Sequence, residues 1–160
     1  MARGYWLLKS EPDAWSYDHH AAAPDGVASW DGVRNYQARN FMRDDMKVGD
    51  LALFYHSNDK PPHVAGIVEV VREAYPDPTA FDSESKYYDP KSSPDAPRWV
   101  MVDLRAVRKL PTPVPLAAIK EEPALQDMLL VRRGSRLSVM PVSQEHFELI
   151  VAMSESATPG

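Results

Sequence analysis

Between positions 30 and 40 the chain gathers Trp30, Asn35, Tyr36, Gln37, Arg39 and Asn40: two flat rings, three amide side chains and a cation. These are the parts needed to hold a planar polar ligand such as a nucleobase. Rings sandwich it, amides read its edge, and a positive charge meets its phosphate. Similar groups recur along the chain. Trp6, Phe54, Tyr55, Tyr87 and Tyr88 are further rings, Ser10, Ser57 and Ser138 further edge-reading groups, and Lys9, Arg98 and Arg136 further cations. The competing reading makes the rings core and the amides helix caps. Trp6, Phe54 and Trp99 fit that reading better, while for Trp30 and Tyr36 both stay open.

The elements that must position these groups follow from local pattern. Asp31-Gly32 is a turn dipeptide, so Trp30 stands just before a sharp reversal. From Asn35 to Met46 the spacing predicts a helix with Asn35 as its N-cap and Ala38, Phe41, Met42 and Met46 as one apolar stripe, leaving Tyr36, Arg39 and Arg43 on another face. Lys47-Val48-Gly49-Asp50 ends it. Leu51 to Tyr55 is apolar throughout, which predicts a central strand covered on both faces and delivering Tyr55, His56 and Ser57 to a rim. Tyr5 to Lys9 reads as a first strand whose exit presents Lys9 and Ser10, and Ser16 caps a short helix from Asp18 to Ala22.

Farther on, Val64 to Val71 is a strand with a close approach or bulge at Gly66, and residues 72 to 97, rich in proline, form a long ordered excursion or flap. Trp99 to Leu110 resumes strand alternation, which Pro111, Pro113 and Pro115 are expected to break. A helix from Pro115 to about Glu121 and another from Glu122-Pro123, burying Leu125, Met128, Leu129 and Val131, precede a basic turn at 132–136. A short strand from Leu137 to Met140, a last helix capped by Ser143, and a frayed tail from Ser154 complete the chain. Five strands, at about 5–9, 50–57, 64–72, 99–109 and 137–141, are too few for a sandwich. They predict a single α+β domain, with a small curved sheet or open barrel and short helices at its ends.

Composition narrows the chemistry. There is no cysteine, which removes disulfides, thiolate metal sites and a cysteine nucleophile and allows a cytoplasmic life. The amino terminus is too short and polar in its apolar run for a signal or a membrane span, so no membrane partner is expected. His19 and His20, adjacent on a helix, point about 100° apart and make a poor metal pair, so no metal or other cofactor is expected. No Walker loop, GxGxxG, GxSxG or HExxH is present, and no catalytic residues are assigned. The net charge of −5 argues against general DNA coating. Residues 98–136 nevertheless hold eight Lys or Arg against four acids, while 61–97 hold three against seven, which fits a selective anionic partner on one surface.

The runs YWLLKSEPDAWS (5–16), WDGVRNYQARNFMRDDMKVGDLALFYHS (30–57), VAGIVEVVREAYPDPTAFD (64–82), KYYDPKS (86–92), PRWVMVDLRAVRKLP (97–111) and RRGSRLSVMPVS (132–143) together resemble the EVE domain family, over nearly the whole chain. The resemblance implies a PUA-like fold, a mixed sheet curled into a partly open β-barrel with surrounding short helices. It also implies kinship to the YTH domain, which cages a methylated adenine among aromatic rings. Lys9-Ser10 and Trp30 look similar to that domain's lysine-serine pair and first cage tryptophan. The implied function is a non-catalytic module that recognises a modified base, a modified cytosine among the candidates, in DNA or RNA. What would act on such a base, a nuclease or another protein partner, stays open. The expected ligand-binding residues are Lys9, Ser10, Trp30, Asn35, Tyr36, Phe54, Tyr55 and Ser57, closed over by Ser135, Leu137 and Ser138. Arg39, Arg98 and Arg136 are expected on phosphates. The alternative is a small-molecule or nucleotide-metabolite binding protein, or an enzyme, using the same pocket.

Overall fold

Six strands form one mixed sheet in the order β2-β5-β4-β3-β1-β6, seen in a computed structural model that describes residues 4–11, 15–57, 61–95, 97–131 and 137–156. The strands are β1 (Tyr5–Ser10), β2 (Val27–Trp30), β3 (Leu51–His56), β4 (His63–Pro76), β5 (Val100–Pro115) and β6 (Val139–Pro141). β1 and β3 run parallel, and the other pairs are antiparallel. The edge strands β2 and β6 do not pair with each other, so the curled sheet stays partly open. Helices α1 (Tyr17–Ala21), α2 (Tyr36–Asn40), α3 (Leu116–Glu121) and α4 (Gln144–Ser156) surround it. This is the α+β, partly open barrel that the sequence predicts.

β3 is central because it carries no charge to keep in water. Ala52, Leu53, Phe54, Tyr55 and His56 are all buried, between β4 on one side and β1 on the other. Beside it Leu7 and Leu8 of β1 and Val64, Val68 and Val70 of β4 are fully buried. Gly66 is needed where β4 passes under α1, since a Cβ there would run into the Tyr17 ring.

Several local expectations are corrected. The sequence reading lacked β2, which pairs Val27–Trp30 with Arg105–Val102 of β5. Pro111 and Pro113 do not break β5, which ends only at Pro115. Between Gly66 and Val64 β4 advances two residues while β5 runs from Lys109 to Val114, and the extra residues bulge out with Pro111 and Pro113 among them. The expected helix beyond Glu122 is instead two 3₁₀ turns, Pro123–Leu125 and Leu129–Val131, with Leu125, Met128 and Leu130 buried. The helix from Asn35 changes register after one turn into a π-helical turn, Phe41–Asp45, closed by Met46 N–H donating to the Phe41 carbonyl at 3.0 Å. At the carboxyl end α4 continues through Ser156, past the point where fraying was expected.

Candidate nucleic-acid interface

Strand exits on one side of the sheet bring the first groups together. Ser57 N–H donates to the Ser10 carbonyl at 2.9 Å, and Lys9 N–H to the Ser138 carbonyl at 2.9 Å. Three segments distant in sequence thus place Lys9, Ser10, Ser57 and Ser138 side by side. They line a cavity of about 710 Å³, a size typical of small-molecule sites. β2 adds Ala28, Ser29 and Trp30, and the following turn adds Asp31, Gly32 and Val33. Glu11 and Trp15 come from the approach to α1, and Lys86 and Tyr87 from the long β4–β5 connection.

Trp30, only 7% exposed, is held edge-on by Phe54, with ring centroids 5.3 Å apart at 90°. Behind it lies His20, fully buried. Its Nδ1 accepts from Trp15 Nε1 at 3.0 Å, which leaves the proton on Nε2, 2.7 Å from the Leu104 carbonyl. Burial outweighs that carbonyl and holds the imidazole below its usual range, so it stands neutral. His19 closes the capping box of α1 with Ser16. The two histidines are therefore structural, one in the core and one in a helix cap.

Another part of the wall is fastened by one arginine. Arg34 Nε and Nη2 donate to the Tyr87 carbonyl at 2.9 and 2.7 Å, and Nη1 pairs with Asp77 at 3.2 Å. Asp77, fully buried, also accepts from Gly32 N–H at 2.8 Å and from the Thr79 N–H and hydroxyl. Gly32 has φ +75°, and its bare Cα lies against the Tyr87 ring. The turn after Trp30 and the Tyr87 segment are thus locked as one wall.

Charge in the cavity is divided. Burial lowers the Lys9 ammonium from its ordinary pKa, and burial with the nearby Asp77 raises the Asp31 carboxyl. Burial also pushes the Tyr55 hydroxyl up to about 12.

Of the residues expected from sequence, Lys9, Ser10, Trp30, Ser57 and Ser138 line the cavity. Phe54 and Tyr55 are core, Phe54 acting as the support of Trp30, and buried Leu137 stands outside the lining set. Asn35 does not face the cavity wall as a reader, because its Oδ1 caps α2 by accepting from Ala38 N–H at 2.9 Å. Tyr36, Arg39 and Arg98 lie together on an adjoining surface. Ser135 and Arg136 lie outside the described residues. Trp15, Ser29, Asp31 and Lys86 were not foreseen. Tyr87, one of the further candidate rings in the sequence but not among the expected ligand-binding residues, also lines the cavity.

A curled, partly open mixed sheet with an aromatic-walled cavity at its strand exits defines a PUA-like domain. A model of the EVE domain matches residues 4–153, and the chain belongs to that family. Human thymocyte nuclear protein 1 is 42% identical, over 94% of this chain and 74% of its own length. A crystal structure of a Pseudomonas putida protein is 49% identical with a TM-score of 0.89, covering 94% of this chain and 99% of that one. Human THYN1 in complex with DNA containing 5-methylcytosine is 42% identical with a TM-score of 0.90, covering 95% and 98%.

Proposed function

We propose that this chain is a non-catalytic nucleic-acid-binding module that takes one modified base, a modified cytosine first among the candidates, out of its stack and holds it beside Trp30. The observation that carries this reading is the wall of the cavity, where three rings, Trp15, Trp30 and Tyr87, stand among serines, two lysines and two carboxylates. Support comes from the relative crystallised with 5-methylcytosine DNA. Stacking on an aromatic ring contributes about 1 to 3 kcal/mol per base. Lys9, Ser10, Ser57 and Ser138 offer donors and acceptors to a base edge, and the Asp31 carboxylate suits the exocyclic N4 amino group of cytosine. Extruding a base costs a few kcal/mol in a duplex, less where it is already unpaired.

The test is binding to matched single- and double-stranded DNA and RNA oligonucleotides, with and without methylated or hydroxymethylated cytosine and methylated adenine. Because Trp30 is nearly buried, the variant of choice is Trp30→Leu, which keeps apolar bulk while removing the flat face. The expected result is a preference of about tenfold or more for one modified member, lost in Trp30→Leu of normal melting temperature. Equal binding to every modified and unmodified member overturns the reading.

The raised Asp31 and lowered Lys9, sharing one cavity, favour a second reading: a nucleotide metabolite bound, or chemically altered, in the same place. A free nucleoside binding as tightly as its oligonucleotide, with little salt dependence, would support it.

A further inference from the structure

Beside the cavity, a second group of rings and cations lies on the surface. Tyr36, the first residue of α2, is 50% exposed and stacks on buried Trp99, with centroids 4.8 Å apart and planes 24° from parallel. Trp99 cannot swing, because its Nε1–H donates to Asp89 at 2.7 Å. The Arg39 guanidinium lies 4.8 Å from the centre of Tyr36 and 6.0 Å from that of Trp99. A guanidinium capping the outer face of Tyr36 would stand about twice the stacking distance from Trp99. Arg39 is therefore beside the ring pair, and the outer face stays open to solvent.

Of the two cations at this edge Arg39 is held in place, and Arg98 reaches toward the same ring. Arg39 donates to Asn40 Oδ1 and, at 2.9 Å, to the Arg98 carbonyl, while Arg98 Nη1 is 3.5 Å from the Tyr36 hydroxyl. Among the described residues neither arginine forms an ion pair. The nearby carboxylates are otherwise engaged, Asp89 with the Trp99 indole and Asp44 with Arg43. A rigid ring with one open face and two unpaired cations at its edge matches a flat base joined to anionic phosphate. The location fits as well. Arg34, whose fork holds Tyr87 in the cavity wall, lies 5.3 Å from the centre of Trp99, so the two sites share one arginine.

We propose that the outer face of Tyr36, with Arg39 and Arg98 beside it, is a second nucleic-acid contact that stacks an unpaired base neighbouring the captured one while the arginines meet the linking phosphates. The inference rests on the nucleic-acid reading of the chain, but not on which base the cavity prefers.

The experiment uses fluorescence anisotropy with a seven-nucleotide single strand carrying central 5-methylcytosine, its unmodified twin, and 5-methyldeoxycytidine monophosphate as competitor. Wild type is compared with Tyr36→Ala, Tyr36→Phe, Arg39→Ala and Arg98→Ala, all with melting temperatures verified. Tyr36→Ala should weaken both strands about tenfold or more and leave the mononucleotide unchanged, and Tyr36→Phe should restore binding. Each arginine variant should lower the salt slope by about 0.7. Unchanged strand affinity in Tyr36→Ala overturns the proposal, as does an equal loss for the mononucleotide, which would make Tyr36 part of the cavity. If wild type binds both strands equally, the modified-base reading fails while the Tyr36 comparison still decides this one. If wild type binds neither strand, both fail.

Discussion

Gly32→Ala tests whether the turn after Trp30 and the Tyr87 ring form one wall. Two costs are separable. At φ +75° an L side chain is disfavoured by about 1 to 2 kcal/mol. The new methyl carbon would also lie 2.6 to 2.9 Å from three atoms of the Tyr87 ring, well inside the carbon–carbon optimum of about 3.5 to 4 Å. Arg34 holds the Tyr87 carbonyl with two N–H groups, so that backbone stays and the ring must turn about its own side-chain bonds to make room. Overpacking of this kind costs about 1 to 3 kcal/mol, so the native protein should lose about 2 to 5 kcal/mol in all. In a Tyr87→Ala background only the backbone part remains, and the same substitution should cost about 1 to 2 kcal/mol. Urea unfolding of the four proteins closes the double-mutant cycle. Equal costs in the two backgrounds would refute the packing of ring against turn, and no cost in either would refute the left-handed backbone as well.

Three further outcomes are expected. His20 is held below its ordinary pKa by burial, whereas the unfolded chain takes up that proton near 6.5. Its contribution is therefore complete above about pH 6.5 and is lost as pH falls from there toward the lower folded value. Unfolding free energy should drop between pH 7.5 and 5.5 by less in His20→Gln than in wild type, and an equal drop would exclude His20 as the cause. Asp77→Ala should cost about 3 kcal/mol, the low end for a broken buried pair because Arg34 keeps some water contact. A loss under about 1 kcal/mol in chemical denaturation would mean that the wall does not depend on it. Gly66→Ala should cost about 1 to 3 kcal/mol by displacing Tyr17, whose hydroxyl donates to the Ile67 carbonyl. Thermal melting that matches wild type would place the Tyr17 ring elsewhere.

What the sequence discloses is mostly what is local. The uncharged run Leu51–His56 had to be central, Ser16 and Ser143 cap their helices, and Trp30 precedes a reversal. β2 escaped notice because Val-Ala-Ser-Trp is too short to show alternation, and it is a strand because Arg105–Val102 offer it a ladder. The prolines of β5 misled because past Arg105 its ladder is with β4 alone, where a bulge can absorb residues without N–H groups. At Asn35 a helix cap and a ligand reader look identical in sequence, and the nearer backbone donor takes the amide oxygen. The Arg34–Asp77 fastening spans forty-three positions and left no local trace.

The place of β1 in the sheet sets the order in which the protein can be finished. Trp6, Leu7 and Leu8 leave the ribosome before either of their neighbours, Leu51–His56 on one side and Val139–Pro141 on the other. At about 5 to 20 residues per second, the first strand waits on the order of ten seconds for its second partner. During that interval it presents an apolar ladder with a bare edge, a template for any other extended chain nearby. A chain cut short before Val139 would never close that edge, and its fate should be aggregation or chaperone capture.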